Sequence, residues 1–264
     1  MIHALSETGL RALHDAASQP VLYAFDFDGT LAPISRDRHA VNVSDSTLQL
    51  LGDLAKRAPC AIVTGRGLAD VAVRINGYVP HLIGNHGLES PLTSHSVLVE
   101  AERTCAKWKH QLQSDLLMTP PGAEIEDKRY SLTVHFRGAQ NPADASMTAL
   151  AALRRLSPAP QLIEGKYAVN VLPRGQSGKG PATLALMKHL GRTGLFYIGD
   201  EETDETVFSL GEVVTMGVRV GRVGGSRAGF YLNDQTEVEG LLRLLVQCMG
   251  GSPSSDVANG PTEI

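Results

Sequence analysis

Short apolar runs alternate with amphipathic stretches along most of this chain, and this alternation predicts strands and helices that follow one another. The clearest run, at residues 21–25, has β-branched or aromatic side chains at three of its five positions. Such a run is typical of a strand buried on both faces of a parallel sheet. Further strands are predicted at 60–63, 81–84, 195–198 and 216–220, and helices at 6–18, 44–55, 68–75, 181–190 and 237–249. The alternating order predicts an α/β fold.

The order changes between residues 97 and 172. Helices are predicted at 97–118 and 141–156, and strands at 123–127, 130–137, 161–163 and 167–172. In the strand 130–137, Leu132, Val134 and Phe136 face one way and polar side chains alternate with them. We therefore predict a cap segment (97–172) with an α+β fold, inserted into a core made of residues 1–96 and 173–249. The Ser/Pro/Gly-rich residues 250–264 are predicted to form a disordered tail.

Two acids stand directly after the run at 21–25. Asp26 and Asp28 are two residues apart, so on extended backbone they point the same way. Ligands of open parallel sheets bind at this carboxyl end of the strands. Because two close carboxylates repel each other, the pair indicates a bound cation or a shared proton. The alternative is a solvated turn that contains two acids.

Other polar groups follow the remaining strands. Thr64 comes after the strand 60–63, and its hydroxyl could donate to a phosphate oxygen. Lys179 stands at a predicted helix N-terminus, where an anion would offset the unfavourable position of a cation. The segment 199–205 holds five acids in seven residues, among them Asp200 and Asp204, and begins at a strand end. These groups are expected at the same edge of the sheet as Asp26.

More candidate contacts lie beside this edge and in the cap segment. Arg66 either clamps an anion or caps a helix, and His86 stands between two glycines at a strand end. The polar face of the cap segment is the other candidate for contacts with a ligand. The alternative is that this face is an ordinary solvated sheet face. Its candidate residues are His135, Arg137, Glu164, Lys166 and Asn170.

These residue types together favour magnesium-dependent phosphoryl transfer. Carboxylate oxygens with a phosphate suit Mg²⁺, and we assign Asp26, Asp28, Asp200 and Asp204 to the metal site. Asp26 is expected to attack a phosphomonoester and form an aspartyl-phosphate. Asp28 is expected to protonate the leaving alcohol and then activate water. Thr64, Lys179 and Mg²⁺ would neutralise the charge on the phosphoryl oxygens.

Composition and net charge narrow the range of partners and compartments that we expect for this protein. With 42% hydrophobic residues among 264, the chain can bury a large core. The formal charge of -4 gives no reason to expect nucleic acid as a partner. Three cysteines without a CxxC pair indicate a reducing compartment, and no run is long enough to span a membrane. We expect a cytoplasmic monomer that does not bind membranes and takes a small sugar phosphate.

Four segments of the chain resemble the motifs of the haloacid dehalogenase phosphatase superfamily. They are DFDGTL (26–31), TGR (64–66), Lys179 and GDEETDE (199–205). Within that superfamily the sequence is similar to trehalose-6-phosphate phosphatases over about residues 21–245. The narrower resemblance is carried by GNHGLE (84–89), Lys128, HFR (135–137), EGK (164–166) and PRG (173–175). It implies a Rossmann-like hydrolase core with an inserted α+β cap, Mg²⁺, and hydrolysis of trehalose 6-phosphate to trehalose and phosphate in trehalose biosynthesis.

The resemblance also implies roles for single residues. It places the metal on Asp26, the main-chain carbonyl of Asp28 and Asp200. It places the sugar hydroxyls on His86, Glu89, Lys128, His135, Arg137, Glu164 and Lys166. One departure falls at 170–173, where this chain has Asn-Val-Leu-Pro and the family has Glu, Ile, a basic residue and Pro. Asn170 keeps hydrogen-bonding capacity without the charge, which affects the sugar-reading face more than the phosphate chemistry.

Three alternatives to this function stay open. The chain could hydrolyse another sugar phosphate, such as sucrose phosphate or mannosylglycerate phosphate. It could be a phosphomutase, which shares the DxDGT start and a similar cap. It could also be an inactive regulatory domain that only binds sugar phosphate, but Asp26, Asp28, Lys179 and Asp200 are all present.

Overall fold

A computed structural model of the chain describes residues 1–35, 37–114, 122–165, 167–175 and 178–250. The side chain of Ser114 is also outside the description. Lys166, the end of the helix predicted at 97–118, and residues 251–264 of the tail predicted at 250–264 lie outside the described residues, while Gly250 is described and ends the last helix. Among the described helices, none combines the length and the apolar character that crossing a bilayer requires.

The described residues form eleven strands and eight α-helices. The strands are β1 (Ile2–His3), β2 (Val21–Phe25), β3 (Cys60–Val63), β4 (His81–Ile83), β5 (Glu124–Asp127), β6 (Leu132–His135), β7 (Gln161–Gly165), β8 (Ala168–Leu172), β9 (Gly194–Gly199), β10 (Val214–Val220) and β11 (Phe230–Leu232). The helices are α1 (Glu7–Ala17), α2 (Asp45–Ala55), α3 (Leu68–Ile75), α4 (His95–Ser114), α5 (Pro142–Leu153), α6 (Lys179–His189), α7 (Glu205–Phe208) and α8 (Val238–Gly250). Every predicted element is present with boundaries shifted by a few residues, while β1, β11 and α7 were not predicted.

Seven strands form one parallel sheet in the order β1-β11-β10-β9-β2-β3-β4. Strand β2 lies between β9 and β3, with Phe25 opposite both Ile198 and Ile62. The strand order reverses beside β2, because the chain continues to β3 on one side and returns to β9 on the other. Asp26 therefore follows β2 at the topological switch point of the sheet, where ligands of such folds bind. The predicted α/β class is confirmed.

Both faces of the sheet are covered by helices, as the continuous apolar character of β2 requires. Tyr23 and Phe25 pack into one apolar cluster with side chains of α1, α2 and α8. Leu22 and Ala24 pack into a second cluster with Leu186 of α6. All five residues of β2 are buried, so the backbone that carries Asp26 is fixed from both sides.

Strands β5 to β8 form a separate antiparallel sheet in the order β5-β6-β8-β7. One face of it packs against α4 and α5 around the buried Trp108, whose indole nitrogen donates to the carbonyl of Pro158 at 2.7 Å. Leu132, Val134 and Phe136 lie in this apolar cluster, on the face that the alternation predicted. This separate apolar cluster around Trp108 agrees with an inserted cap, and the exact division at residues 97 and 173 stays a prediction.

Polar contacts join the cap segment to the core. Arg38 of the loop after β2 donates to Glu124 of β5 at 2.8 Å. Lys128 Nζ donates to the carbonyl of Gly65 at 3.0 Å. Ser131 Oγ donates to Asn85 Oδ1 at 2.5 Å. These contacts join the cap segment to the segments that follow β2, β3 and β4, at the carboxyl edge of the parallel sheet.

Candidate active site

A buried lysine joins two buried aspartates at the centre of this edge. Lys179 Nζ donates to Asp26 Oδ1 at 2.8 Å and to Asp204 Oδ1 at 2.9 Å. The hydroxyl of Tyr197 also donates to Asp204 Oδ1, at 2.7 Å. Burial lowers the pKa of Lys179, but Asp204 and Asp26 outweigh it, so the net pKa lies above its usual value. The lysine therefore stays charged beneath the site.

The start of helix α6 directs Lys179 inward. Gly178 precedes the helix with a φ of +75°, a left-handed value that glycine adopts without strain. Gly180, on the other side of Lys179, packs so closely that a Cβ would lie 2.2 Å from the main-chain oxygen of Thr206. This close approach brings Lys179 against the strand ends, at the helix N-terminus that the sequence predicted.

Three acids stand close enough to share a cation. Asp26, Asp200 and Asp204 each offer a carboxylate oxygen, and these oxygens lie within 4.8 Å of one another. Asp26 Oδ2 is buried and has no hydrogen-bond partner among the described residues. Burial, with Glu201 and Asp204 nearby, raises the pKa of Asp200 to about 7. Crowded carboxylates with a free buried oxygen fit Mg²⁺, a hard cation that binds through oxygen.

The three acids differ in how many of their carboxylate oxygens are free to bind a metal ion. Both oxygens of Asp204 already accept hydrogen bonds, because Oδ2 accepts from the main-chain nitrogen of Glu201 at 2.8 Å and Oδ1 accepts from Lys179 and Tyr197. Asp200 is more open, with Thr30 Oγ1 donating to its Oδ1 at 3.3 Å. The open coordination positions thus lie on Asp26 and Asp200.

Arg219 of β10 holds the acidic loop in place and was not predicted. Its guanidinium donates to the main-chain oxygens of Asp200 and Glu201 at 2.6 and 2.9 Å. It also pairs with Glu205 at 2.7 Å. The signal in the sequence was a single charged residue inside the apolar run of β10. In the structure Arg219 is 7% exposed.

Asp28 lies beside Asp26 but has a different partner. Arg66 donates to both of its carboxylate oxygens, from Nε at 2.6 Å and from Nη2 at 2.7 Å. Arg66 also donates from Nη1 to Asp70 at 2.7 Å. The sequence left open whether Arg66 clamps an anion or caps a helix, and in the structure it pairs with Asp28 and Asp70.

Helix α3 takes its cap from a distant residue. Glu89 Oε2 accepts from the main-chain nitrogen of Leu68 at 2.7 Å and from Asn85 Nδ2 at 2.6 Å. Gly67, the preceding residue, has no side chain to cap the helix. Glu89, which was predicted to meet a sugar hydroxyl, is half-buried, and its Oε2 is thus engaged in capping this helix.

The turn after β3 is closed by the loop that contains His86. Thr64 is buried, and its Oγ1 accepts from the main-chain nitrogen of Arg66 at 3.1 Å. The main-chain nitrogen of His86 donates back to the oxygen of Thr64 at 3.0 Å. Asn85 and His86 both have positive φ, +46° and +54°, which is uncommon for residues with a Cβ. The two loops therefore form one unit below the site.

His86 is buried among cations. Its ring lies against Gly65, where a Cβ would come within 2.5 Å of the ring. Neither ring nitrogen meets hydrogen-bond geometry with a described residue. Burial, then Lys179 and Lys128, lower the pKa of His86 well below its usual value, although the Asn170 amide opposes this shift. His86 is therefore neutral at pH 7.

A groove of roughly 960 Å³ separates the sheet edge from the polar face of the cap segment. Eight residues predicted for the site line it. They are Asp28, Arg66, Lys128, His135, Arg137, Glu164, Asn170 and Asp200. Asp26, Thr64, Lys179, Asp204 and His86 are buried next to it. Lys166 lies outside the described residues.

Polar pairs fix the cap side of the groove. His135 Nε2 lies 2.8 Å from Glu126 Oε2, and Asn170 Oδ1 accepts from Thr133 at 2.8 Å. Although burial raises the pKa of Glu126, the hydrogen bond from His135 and the charges of Lys128 and Arg38 lower it to about 2. Glu126 and Arg38 line the groove and were not predicted as site residues.

The sequence was compared with known families and proteins. The trehalose-phosphatase family profile matches residues 24–229. The Trehalose-6-phosphate phosphatase of Escherichia coli is 31% identical over 85% of this chain and 86% of its own length. The Trehalose-phosphate phosphatase of Mycobacterium tuberculosis is 30% identical over 74% of this chain. The chain spans about half, 52%, of that mycobacterial relative.

A solved structure shares the fold. The C-terminal domain of Candida albicans Trehalose-6-phosphate phosphatase superposes with a TM-score of 0.72 and covers 94% of this chain and 98% of its own. Its sequence identity is 23%, so the likeness concerns the fold. A haloacid dehalogenase-like hydrolase from Bacteroides thetaiotaomicron superposes with a TM-score of 0.56. On the extent of the profile match and the identity to the E. coli protein, this chain belongs to the trehalose-phosphatase family.

Proposed function

We propose that this protein is a magnesium-dependent phosphatase that hydrolyses trehalose 6-phosphate to trehalose and phosphate. The observation that carries the proposal is the state of Asp26. One carboxylate oxygen is held by Lys179, and the other is buried without a described partner beside Asp200. A carboxylate fixed by one oxygen, with the second oxygen left for a ligand, is suited to attack on a phosphoryl group.

The residues around Asp26 have complementary roles in this proposal. Asp26 attacks the phosphorus and forms an aspartyl-phosphate. Asp28 gives a proton to the departing sugar oxygen, which leaves as a hydroxyl, and later takes a proton from the water that hydrolyses the intermediate. Lys179 and the hydroxyl of Thr64 oppose the charge on the phosphoryl oxygens.

The metal site uses the same edge of the sheet. Asp26, Asp200 and the main-chain carbonyl of Asp28 would hold Mg²⁺, and Asp204 would fix Lys179 and the loop rather than bind the ion directly. When bound, Mg²⁺ supplies positive charge at the phosphoryl oxygens. The assignment is supported by the proximity of the Asp26 and Asp200 carboxylates, because a cation between them would relieve their repulsion.

The sugar is proposed to occupy the groove. Trehalose carries hydroxyl groups and no charge, so its recognition needs hydrogen-bonding side chains. Those proposed for it are Lys128, His135, Arg137, Glu164, Lys166 and Asn170. His86 and Glu89 are proposed to act from below the groove, by shaping the turn that carries Thr64 and Arg66.

Other sugar phosphates are the second candidate, and Asn170 is the observation that favours them. It is bound to Thr133 and stands where the family carries a glutamate, so one charge is missing from the sugar-reading face. Sucrose phosphate and mannosylglycerate phosphate would then be the substrates. A phosphomutase would isomerise a glycosyl phosphate and release no phosphate.

The test is phosphate release from a panel of these sugar phosphates with Mg²⁺ present. We expect trehalose 6-phosphate to give the highest kcat/KM, and Asp26→Asn to abolish turnover. The matched control is Asp53→Asn, which removes an exposed carboxylate paired with Lys56 on α2. Activity of Asp26→Asn at the wild-type level would refute the mechanism, and a better substrate in the panel would refute the assigned sugar.

We also propose a cytoplasmic monomer as the active form. Cys60, Cys105 and Cys248 are all free thiols, which supports a reducing compartment. Sedimentation velocity at working concentrations should give the mass of one chain. A dimer that persists on dilution would contradict the monomer.

A further inference from the structure

The carboxylate of Asp28 is held by two parallel hydrogen bonds from Arg66. The donor–acceptor distances are 2.6 Å for Nε to Oδ2 and 2.7 Å for Nη2 to Oδ1. A bidentate pair of this kind fixes the orientation of a carboxylate as well as its position. Asp28 itself is only partly buried and lines the groove, so without Arg66 its side chain could adopt other rotamers.

Arg66 is in turn fixed by Asp70 and Phe27, which do not line the groove among the described residues, and by the main chain of Arg38. Nη1 donates to Asp70 Oδ2 at 2.7 Å and to the carbonyl of Arg38 at 3.2 Å. The guanidinium lies over the ring of Phe27, 5.3 Å from its centroid. Asp70 also accepts from Arg74 Nη2 at 2.9 Å. The chain of contacts Asp28–Arg66–Asp70–Arg74 thus runs from the groove along α3.

The remaining hydrogen-bonding capacity of Arg66 is small. A guanidinium carries five N–H donors. Asp28 takes two of them, and Asp70 and the Arg38 carbonyl take one each, which leaves a single N–H on Nη2. An arginine that clamps a phosphate uses two donors side by side. This geometry favours a role for Arg66 toward Asp28 over direct binding of the phosphate.

We propose that Arg66 is a positioning residue that orients Asp28 toward the leaving oxygen of the substrate, and that Asp70 fixes Arg66 for this purpose. The inference rests on the proposed function, in which Asp28 transfers the proton of the sugar hydroxyl. Asp70 does not line the groove among the described residues. The inference gives it an effect on catalysis through two successive ion pairs, Asp70–Arg66 and Arg66–Asp28.

The inference is tested by changing the leaving group. A sugar alkoxide needs a proton to depart, whereas p-nitrophenolate departs without one. The variants are Asp70→Asn and Arg66→Lys, which keeps the charge but cannot form the two parallel hydrogen bonds. Asp53→Asn is the control, since Asp53 likewise pairs with a cation one turn away on a core helix. Single-turnover rates of enzyme phosphorylation are measured, so that hydrolysis of the intermediate does not mask the step.

The two substrates should respond differently. General acid catalysis contributes roughly 10²- to 10⁴-fold, so a poorly oriented acid in Asp70→Asn should slow the sugar phosphate about 10-fold. Arg66→Lys should slow it by about 100-fold, the effect of misplacing a catalytic group. Phosphorylation by p-nitrophenyl phosphate should change less than about 2-fold, since that step uses no proton. Equal losses with both substrates would overturn the inference and indicate that Arg66 binds the phosphate.

Coupling to Asp28 gives a second test. In an Asp28→Asn background the oriented acid is gone, so Asp70→Asn should add no further loss with the sugar phosphate. Losses that multiply would mean that Asp70 acts independently of Asp28. The comparison uses whichever sugar phosphate the wild type hydrolyses best, so failure on trehalose 6-phosphate rejects the proposed substrate and leaves this test intact. An enzyme that accepts only the aryl phosphate has no need of an oriented acid, and that result would also overturn the inference.

A measurement without substrate completes the test. The Nε–H of Arg66 is expected to give an exchange-protected signal in ¹⁵N–¹H spectra of the wild type, with or without Mg²⁺. The signal should be lost in Asp28→Asn and broadened in Asp70→Asn, while Asp53→Asn keeps it. A signal that is insensitive to Asp70 would overturn the anchoring role.

Discussion

Lys179 Nζ lies 2.8 Å from Asp26 Oδ1, and neither side chain is more than 2% exposed. Removing two charges from water is costly, and their attraction offsets this cost only while both partners are present. The pair therefore has a structural role beside its proposed catalytic one, because each group holds the other in place. Burial raises the pKa of Asp26 well above its usual value, and the charge of Lys179 opposes that shift. A change to either partner should be visible in the folded protein before any substrate is added.

Replacing Lys179 by methionine leaves Asp26 and Asp204 without their shared cation. We expect a loss of about 3–5 kcal/mol in the free energy of unfolding, the usual cost of breaking a buried pair. Phosphate release should fall below detection. Urea unfolding monitored by circular dichroism gives the free energy, and Lys188→Met, at an exposed position near the end of α6, is the matched control. A Lys179→Met protein as stable as that control would contradict the buried ion pair.

Mg²⁺ should raise the melting temperature, because a ligand that binds only the folded state stabilises it. At a concentration of 100 times its Kd the gain is about 2.7 kcal/mol. Asp200→Asn should lose this gain, while Glu202→Gln, an exposed acid of the same loop, should keep it. The gain should also shrink below pH 7, since protons compete for Asp200, whose pKa in the metal-free protein is about 7. A shift that survives Asp200→Asn would contradict the assigned ligands.

His86 should make the protein less stable in acid. Its pKa is lowered well below its usual value by burial and by Lys179 and Lys128. Below pH 6.5 the unfolded chain binds a proton at this position while the folded chain does not, so the contribution of His86 to stability is lost as the pH falls. The slope from this one group is at most about 1.4 kcal/mol per pH unit.

His86→Asn tests this slope, and asparagine tolerates the left-handed backbone at this position. Unfolding free energies between pH 7.5 and 5 should decline less steeply in His86→Asn than in the wild type. His14→Asn, on an exposed position of α1, controls for the replacement itself. If His14→Asn and His86→Asn flatten the slope equally, the buried neutral state of His86 is wrong.

Most helices and strands, and the edge of the parallel sheet that carries the acids, could be predicted because they depend on local sequence patterns. The run at β2 is apolar throughout since both faces are covered, and Asp26 follows it at the switch point. Strand β1 was missed because two residues are too short to show a pattern, and β11 was missed because its three residues directly follow a glycine-rich stretch that reads as a loop. Helix α7 was missed because its four residues follow an acidic run that reads as a loop.

The partners of the polar side chains could not be predicted, because they depend on contacts between distant parts of the chain. Arg66 reaches Asp28, which is 38 residues away, and Glu89 caps a helix that begins 21 residues earlier. Arg219 supports the loop of Asp200 from a neighbouring strand. Sequence patterns located the groups that are proposed to carry the chemistry, while the groups that hold them in position required the fold.

Two glycines with nearly the same φ allow backbone strain and crowding to be separated. Gly29 and Gly77 have φ of +76° and +78°. A Cβ at Gly29 would lie 2.2 Å from Asp200 Oδ2, whereas a Cβ at Gly77 would meet no described atom within 4 Å. Alanine at either position should cost about 1–2 kcal/mol of stability through the left-handed backbone alone.

Only Gly29→Ala should also displace Asp200. We expect Gly77→Ala to melt at a lower temperature with its Mg²⁺-dependent shift and its phosphate release intact. Gly29→Ala should lose both, because the new methyl group occupies the space of a proposed metal ligand. Melting curves with and without Mg²⁺, together with phosphate release, distinguish the two variants. If Gly29→Ala retained the Mg²⁺ shift, the ion would not depend on the position that Asp200 holds beside Gly29, and the ligand set proposed for the site would have to be revised.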